Sequence, residues 1–443
     1  MKLTFILPAI GKKPGQKYIG TWKMEPLTIA VLKSLTPEAV ETAFYDDRVE
    51  LINYDEPTDL VVITVETYTA RRSYEISSAF RERGAKVVLG GYHTTLMPEE
   101  ALLHANAIIT GNAEAVWKSV LEDFQKSELK RCYAGKPAYS PLSPDKSIYK
   151  GKKYLPVSLI ETGRGCCNHC DFCSIASYYR CKYFARPHEY ILKDIQNSAS
   201  KYHFLVDDNL MADKKNALGL FEKIKPLKIK WAGQGTLSMA KDEVLLKTMK
   251  ESGCEIILIG FESLEEENLK QMRKSVNLFV KERDELVERI HAAGIGIYAT
   301  FIFGYDYDTE ETIEKALRFS EKHQFYTAAF NHLLPFPGTS LYEYLKRENR
   351  LLSDKWWLQG DYNYGELAFE PKNISPEKLS RLCRDARKEF SNGKNILRRG
   401  LSAMGRTSPL LWFLFWAMNL SIGGEVDEKM NVPIGRNLDE LPK

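Results

Sequence analysis

The chain has 443 residues, little excess charge and no long apolar run. Its 62 Lys and Arg residues and 59 Asp and Glu residues leave a formal net charge of +3. Nucleic-acid-binding domains normally carry a strong basic excess, so no nucleic-acid partner is expected. The apolar stretches fall short of the ~18 residues that a membrane-spanning helix needs. The opening MKLTFILP lacks a small-residue cleavage site, so we interpret it as a core strand and predict a cytoplasmic protein.

Cysteine is also scarce, and its distribution excludes a disulfide scaffold. The chain has eight cysteines, and four of them lie within eight positions: Cys166, Cys167, Cys170 and Cys173. In a reducing compartment such a group of thiols indicates metal or redox chemistry. Cys181, close by, is read more simply as a structural thiol.

Alternating strand and helix patterns predict an α/β protein with several parts. Residues 1–132 contain five apolar runs of the LVVIT type, which predict a flavodoxin-like, doubly wound domain with a ligand crevice at the carboxyl ends of its strands. Residues 133–155, which are rich in proline and polar residues, predict a linker. Residues 156–345 hold six further β/α units and predict a partial (β/α)6 barrel, again with its chemistry at the carboxyl ends. Residues 346–443 predict a helical region.

The segment GRGCCNHCDFCSIASYYR carries the strongest chemical signal. Cys166, Cys170 and Cys173 form C-x3-C-x2-C directly after a strand, and thiolates this close can hold one iron–sulfur cluster. Three thiolates would leave one iron of a [4Fe-4S] cluster open to another molecule. His169 could instead complete a Cys3His zinc site, although zinc sites usually join two separated ligand loops. A non-catalytic iron–sulfur carrier is disfavoured, because it needs neither an open iron nor two β/α domains.

This motif, with the aromatic Phe172 before its last cysteine, is highly specific, and residues 157–342 resemble the radical S-adenosylmethionine (SAM) superfamily. The resemblance implies that the three cysteines hold a [4Fe-4S] cluster whose open iron binds the amino and carboxylate groups of SAM. Reductive cleavage of SAM would then give a 5′-deoxyadenosyl radical that abstracts hydrogen from a substrate. An external electron donor of the flavodoxin or ferredoxin type is implied as well.

Polar residues that follow later strands resemble the superfamily's SAM-contacting segments. They are Asp207 and Asp208 in FLVDDNL, Gln234 in WAGQG and Glu262 in IGFES. Carboxylates suit the ribose hydroxyls and the ammonium group of SAM because they accept hydrogen bonds. Each residue alone could be a helix cap or part of a turn, but their shared place at one face of the barrel favours SAM binding.

Residues 1–130 resemble the cobalamin-binding domain that precedes the barrel in many members of that group. The matching motifs are YDDR, VVLGGYHTTLMPEEAL and TGNAEAVW. The resemblance implies that Gly90 and Gly91 approach the flat corrin and that His93 approaches its lower face or nucleotide tail. A tight turn and a structural histidine are the alternatives. The pattern D-x-H-x-x-G of a cobalt-ligating histidine is absent from the chain.

Cobalamin would make C-methylation the leading hypothesis. By this resemblance methylcobalamin would donate its methyl group to a substrate carbon radical, and a second SAM molecule would restore it. The substrate would be a small-molecule or lipid-like biosynthetic intermediate. Cyclisation, rearrangement or oxidation with a non-methylating or absent cobalamin is the alternative.

The C-terminal part contains an apolar run at residues 409–422, PLLWFLFWAMNLSI. Basic residues precede it: Lys388, Lys394, Arg398, Arg399 and Arg406. This pattern predicts either a helix that lies at a membrane surface or one that packs over the barrel or at a dimer interface. The aromatic segment 355–369 is expected to pack in the core rather than to line a pocket.

Overall fold

Two parallel sheets, each of six strands, follow one another along the chain. The structure is a computed structural model, and it describes residues 1–16, 23–136, 142–278, 281–404 and 407–439. Its α/β architecture confirms the fold class predicted from the sequence.

The first sheet has the strand order β2-β1-β3-β4-β5-β6, with all neighbours parallel. The first five positions reproduce the flavodoxin-like order. Its elements are β1 (Lys2–Leu7), α1 (Leu27–Ser34), β2 (Glu41–Asp46), β3 (Leu60–Thr64), α2 (Ala70–Glu82), β4 (Lys86–Gly90), α3 (Tyr92–Leu96), α4 (Pro98–Leu103), β5 (Ala107–Gly111), α5 (Trp117–Gln125) and β6 (Cys132–Gly135).

Both faces of this sheet are covered, as the continuous apolar runs predict. In β3, Val61 and Ile63 pack into one core, while Leu60 and Val62 pack into another on the opposite face with Trp117 of α5. Successive side chains of a strand point to opposite faces, so a strand buried on both sides needs an unbroken apolar run.

The sixth strand corrects the predicted linker. Cys132–Gly135 pairs with β5, although the sequence places a linker from residue 133. The strand is short and only Tyr133 is buried, so its periodicity is too weak to stand out beside the proline-rich sequence that follows. Farther along, Tyr149 packs into the first domain's core. Residues 137–141 of the linker lie outside the described residues.

The second sheet has the order β14-β13-β12-β11-β10-β7, again parallel throughout, with β7 and β14 at its two edges. The six strands match the six β/α units of the predicted partial barrel. The elements are β7 (Ser158–Ile160), β8 (Gly163–Gly165), α6 (Ser174–Tyr179), β9 (Tyr183–Ala185), α7 (His188–Asn197), β10 (Tyr202–Leu205), α8 (Lys214–Ile224), β11 (Lys230–Gly235), α9 (Glu243–Glu251), β12 (Cys254–Glu262), α10 (Glu266–Gln271), α11 (Arg283–Ala292), β13 (Gly296–Phe303), α12 (Glu310–Lys322) and β14 (Thr327–His332).

Alternation along these strands separates an outer core from the barrel interior. In β13, Phe301 and Phe303 are buried against the surrounding helices, whereas Tyr298, Thr300 and Ile302 are partly accessible on the other side. The inward-facing residues therefore line an open interior rather than a filled core.

The C-terminal region packs on both domains. It comprises α13 (Ser340–Arg347), β15 (Asn363–Tyr364), α14 (Pro376–Phe390), α15 (Gly393–Ala403), α16 (Pro409–Lys429) and β16 (Val432–Pro433). The last described residues return to the first domain, where the Gly435 amide donates to the Ile10 carbonyl at 2.7 Å and Arg72 pairs with Asp439 at 2.7 Å. The tail is therefore part of the folded molecule and not a free polar end.

The apolar run at 409–422 forms the first two-thirds of α16. Leu411, Phe415 and Asn419 lie four residues apart and are buried, while Phe413 and Leu420 are 64% and 67% exposed. No helix in the described part of the chain is long and apolar enough to span a membrane.

The basic stretch before α16 lies only partly at the surface. Arg399, predicted to belong to it, is buried and donates to the Tyr326 carbonyl and the Asn419 amide oxygen, because it fills the contact between α15 and α16. Burial lowers its pKa to about 9. Lys388 pairs with Asp427 at 2.7 Å. Arg406 lies outside the described residues.

Candidate functional site

A small antiparallel hairpin presents the cysteine motif at the carboxyl end of β7. β8 pairs with β9, and the chain between them carries the four clustered cysteines and α6. Gly165, which ends β8, has φ +83°, and a Cβ atom there would lie 2.2 Å from the Lys182 carbonyl oxygen. A side chain at this position would push the two arms of the hairpin apart, which explains the glycine before Cys166.

The three predicted cluster ligands lie in different surroundings. Burial raises the pKa of the Cys170 thiol to about 12, and the Lys274 ammonium acts against that shift. Burial raises the pKa of Cys173 as well. Cys166 is partly exposed, and the Asn209 amide lies 3.7 Å from its sulfur. Lys274 therefore supplies positive charge where thiolates would form.

A zinc site with His169 has no preformed ligand set. Within the described ranges, no group of three or more His, Cys, Asp and Glu residues could hold one metal ion. A cluster of several irons differs from a single ion, because each thiolate binds an iron of its own.

Glu262 and Lys274 form a charged pair next to these thiols. Glu262 ends β12 at an irregularity in the pairing with β13, has φ +61° and is buried. Its Oε1 lies 3.0 Å from the Lys274 ammonium. The Asn277 amide donates to the carbonyls of Gly260 and Phe261 and fixes this turn. Burial lowers the pKa of Lys274, but Glu262 outweighs it and the net pKa is raised.

The Asp207 side chain is buried and does not reach an open surface. One of its oxygens accepts from the Thr162 amide at 2.7 Å, and the other accepts from the Thr162 hydroxyl at 2.7 Å and the Tyr183 hydroxyl at 3.1 Å. Burial raises its pKa to about 7. The geometry gives no support to the predicted SAM contact of Asp207, because both oxygens join β10 to the hairpin.

Asp208 and Gln234 do reach the open interior. Both side chains are partly exposed; Asp208 accepts from the Gly165 amide at 2.9 Å, and Gln234 donates to the Asp208 carbonyl at 3.0 Å. Burial raises the pKa of Asp208. Beside them a recess is lined by Asn209, Thr236 and other residues after β10 and β11. The structure therefore brings these two candidates together at one edge, next to the cysteine loop.

The cysteine loop is also tied to the end of β13. The Tyr305 hydroxyl donates to Asp171 at 2.6 Å, and Phe172 packs against the outer core of the barrel. No local sequence pattern predicts this contact, because Asp171 lies 134 positions from Tyr305.

Two polar residues follow strands at the carboxyl edge of the first sheet. Glu66, after β3, has an exposed side chain, and yet burial raises its pKa. At the same edge, the Asn112 amide nitrogen after β5 is buried without a hydrogen-bond partner. This donor at the edge of the sheet is therefore unsatisfied within the protein.

This edge faces the cysteine loop. The ring of Tyr92, after β4, lies 4.7 Å from that of Tyr178 in α6. Arg164 in β8 pairs with Glu114, after β5, at 2.7 Å. The carboxyl ends of the two parallel sheets thus meet across these contacts, and a ligand in one crevice would lie close to a ligand in the other.

Comparison with known proteins gives consistent results. The family description "Radical SAM superfamily" matches residues 160–320. A bacteriochlorophyllide d C-8(2)-methyltransferase from Chlorobaculum tepidum is 30% identical over 405 residues, which are 85% of this chain and 87% of the relative. The chain belongs to the radical SAM superfamily.

Two further proteins are similar to this chain over most of its length. A bacteriochlorophyllide d C-12(1)-methyltransferase from the same organism is 29% identical over 409 residues, 89% of this chain and 88% of the relative. The radical SAM methyltransferase TsrM from Kitasatospora setae, solved with cobalamin and a [4Fe-4S] cluster, superimposes with a TM-score of 0.66 at 15% identity. That match covers 96% of this chain and 99% of TsrM and establishes the shared two-domain fold.

The superfamily's own cofactors are SAM and a [4Fe-4S] cluster, and the residues at the barrel edge suit both. The loop offers three thiols with a cation beside them, and the adjacent edge offers the Asp208 carboxylate and the Gln234 amide. Soft thiolates match iron, and oxygen acceptors match the hydroxyls and ammonium of SAM.

In the first domain of this radical SAM protein, the residues that were predicted to approach a corrin have mainly structural roles. A Cβ at Gly91, where φ is +108°, would lie 2.7 Å from the Val65 carbonyl oxygen. Only glycine therefore fits where the backbone after β4 approaches the backbone after β3. A Cβ at Gly90 would meet nothing closer than 3.8 Å. His93 is fully buried, with one ring nitrogen 3.0 Å from Glu100 and the other 3.2 Å from Thr67. Its predicted approach to a corrin has no support, because both nitrogens have partners.

Proposed function

We propose that the protein is a cobalamin-dependent C-methyltransferase that acts on a small or apolar biosynthetic intermediate. The observation that carries this proposal is the meeting of the two carboxyl edges at Tyr92 and Tyr178. A corrin in the first crevice and SAM at the cysteine loop would share one enclosed space. The methyltransferase activity of two relatives supports methyl transfer as the use of that space.

The proposed sites follow from this arrangement. Cys166, Cys170 and Cys173 would hold the cluster, and Asp208 and Gln234 would contact SAM. When bound, the cluster and SAM supply a radical that abstracts hydrogen, and cobalamin supplies the methyl group. The chain's own contribution is to position these groups and to exclude water from the site.

Cobalamin is proposed to occupy the crevice of the first domain. The exposed side chain of Glu66 after β3 and the room beside Gly90 at the end of β4 support this placement. The proposed cobalamin-binding unit comprises residues 1–132 together with the rest of β6, which ends at Gly135. The proposed radical SAM barrel comprises residues 156–345, and the C-terminal region 346–443 follows it.

Methyl transfer can be tested with SAM that carries a deuterated methyl group. The anaerobically reconstituted enzyme is incubated with bacteriochlorophyllide d, the substrate named for two relatives, and a reductant. We expect 5′-deoxyadenosine together with a product that carries the label. Cys170→Ala should abolish both, whereas Cys132→Ala, which removes an exposed thiol on β6, should preserve both.

The alternative reaction classes predict a different result from the same experiment. Cyclisation, rearrangement or oxidation would give 5′-deoxyadenosine and a changed substrate without the labelled methyl group. That result would contradict methyl transfer and leave the radical SAM chemistry in place.

We also propose a flavodoxin- or ferredoxin-type electron donor. The loop residue Cys167 is exposed and borders an open recess with Lys214 and Lys241 on its rim. An electron carrier could therefore approach the cluster from this side. The proposal fails if purified flavodoxin and its reductase, and likewise ferredoxin, cannot replace a chemical reductant in SAM cleavage.

We propose that the protein is located in the cytoplasm and contacts the membrane surface peripherally. α15, the residue that follows it and α16 together expose apolar side chains that are each more than half exposed: Leu397, Leu401, Met404, Phe413 and Leu420. Lys394 and Arg398 lie exposed on the same pair of helices. Apolar side chains with neighbouring cations are typical of helices that lie on anionic membranes.

Flotation with vesicles of anionic phospholipid tests this contact. Replacing Phe413 and Leu420 by serine should abolish flotation of the protein with the vesicles. Val244→Ser, at an equally exposed apolar residue of α9, should have no effect. Equal flotation of both variants would contradict a specific contact through α16.

A further inference from the structure

A recess along the edge strand of the barrel lies outside the proposed cofactor sites. Two adjoining cavities share the lining residues Asn331, Tyr364 and Arg387; one extends to Tyr68 of the first domain and the other to Ile422 of α16. We call these two cavities together the β14 recess. It joins the region between the two domains to the open interior of the barrel.

Arg387 of α14 stands in this recess without a carboxylate partner. Its Nε donates to the Phe330 carbonyl at 2.8 Å, and one terminal nitrogen bonds the Asn331 amide oxygen. Among the described residues, no Asp or Glu lies within ion-pair distance of it, whereas Arg384, one turn earlier in the same helix, pairs with Asp385 at 3.2 Å. The guanidinium is therefore held in place with part of its donor fork unused.

Neighbouring groups leave Arg387 as the dominant charge of the recess. Burial lowers the pKa of His332 to about 4, so this histidine is neutral at pH 7. Glu425 on the far wall pairs with Lys429 at 3.3 Å. Burial raises the pKa of Tyr298, and the charge of Arg387 counteracts that shift, so the guanidinium's field reaches the barrel interior.

Aromatic side chains line the recess near Arg387 and indicate the kind of ligand that it suits. The rings of Tyr68 and Tyr364 lie with their centroids 5.3 Å apart and their planes tilted by 48°, and both line the recess. Such walls suit a flat apolar body, and a guanidinium fork suits a planar carboxylate. Arg387 is partly exposed in the recess, so its unused donors are accessible to an anion that enters there.

We propose that Arg387 anchors a carboxylate group of the substrate, whose apolar body extends along the β14 recess toward the cofactors. This inference rests on the proposed function, because it takes the carbon to be methylated to lie near Asp208 and Gln234. β10 and β14 are four strand spacings apart, up to about 20 Å around the sheet. The substrate class is therefore a large, flat, carboxylate-bearing molecule rather than an amino acid or a neutral lipid.

The test compares a free acid with its methyl ester on variants of the full-length, reconstituted protein. Bacteriochlorophyllide d and its propionate methyl ester are the probes, and the quenching of pigment fluorescence gives each Kd. Arg387→Gln should weaken binding of the acid about 10- to 100-fold, the range of a hydrogen bond to a charged group, and change ester binding less than twofold. Arg387→Lys should fall between. Arg381→Gln, at an exposed arginine of the same helix that does not line the recess, should leave the acid-to-ester ratio unchanged.

The outcomes separate this inference from the proposed function. Equal loss of acid and ester binding in Arg387→Gln, or no loss of either, overturns the carboxylate anchor. Unchanged thermal unfolding of the variant shows that the loss is not a failure to fold. Acid-selective loss in a protein that never transfers a methyl group would support the anchor and defeat the proposed function. If the Arg387→Gln variant methylates the ester fully but binds the acid weakly, both the anchor and the proposed function are supported.

Discussion

At the scale of single residues, the charged pair of Glu262 and Lys274 is the clearest sign of function beside the thiols. A glutamate with φ +61° is unfavourable by about 1–2 kcal/mol, and the bonds of Asn277 to the neighbouring carbonyls hold it there. Strained backbone of this kind concentrates at functional sites. The sequence predicts Glu262 from the segment IGFES, but its partner could not be predicted, because the pairing depends on how the chain turns after β12.

Asp207 allows a prediction for the pH dependence of stability. Its pKa is about 7 in the folded protein and about 4 in an unfolded chain, so the folded state binds the proton more tightly between these values. Lowering the pH from 7 to 5 should therefore stabilise the native protein by about 2 kcal/mol relative to Asp207→Asn, which cannot titrate. Urea unfolding of the cluster-free protein at both pH values measures this difference.

Asp213 provides the control for that measurement. It caps α8 by accepting from the Asn216 amide at 2.9 Å, and asparagine caps helices equally well. Asp213→Asn should thus show the same pH dependence as the unaltered protein. If Asp207→Asn also does, the raised pKa of Asp207 is wrong.

At the scale of elements, long periodic segments were predictable and short irregular ones were not. The LVVIT run of β3 and the alternation in β13 each carry enough residues to show their period. The hairpin of β8 and β9 has strands of three residues, and β6 has four, so neither shows one. The hairpin matters most, because it holds the cysteine loop that the motif alone could not place.

The pairing of α15 with α16 gives a prediction at this scale. A Cβ added at Gly400 would lie 2.4 Å from the ring of Trp416, whereas a Cβ at Gly393 would meet nothing within 4 Å. Gly400→Ala should lower the free energy of unfolding by about 1–3 kcal/mol through overpacking. Gly393→Ala should be neutral or stabilise by up to about 1 kcal/mol.

Hydrogen exchange and urea unfolding of the two alanine variants check this. Faster exchange confined to α15 and α16 in Gly400→Ala is the expected pattern. Equal behaviour of both variants would mean that these helices do not pack as closely as their contact with Trp416 indicates.

At the scale of the whole molecule, the two domains face each other at the carboxyl edges of their sheets. Contacts far apart in sequence establish that orientation: Tyr92 with Tyr178, Arg164 with Glu114, and the C-terminal tail at Arg72. Each domain's fold could be predicted from its own periodicity, and the resemblance indicates both cofactors. The relative orientation of the two domains could not be predicted, because no local sequence pattern reports contacts between segments separated by dozens or hundreds of residues.

The central claim is that one folded chain holds an iron–sulfur cluster and a corrin across this contact. The most direct measurement is the iron, sulfide and corrin content of the protein after anaerobic reconstitution and gel filtration. We expect one [4Fe-4S] cluster and one corrin for each chain, with Cys166→Ala, Cys170→Ala and Cys173→Ala each losing the cluster and retaining the corrin. A protein that retains no corrin, or a triple cysteine variant that keeps its iron, would contradict the account.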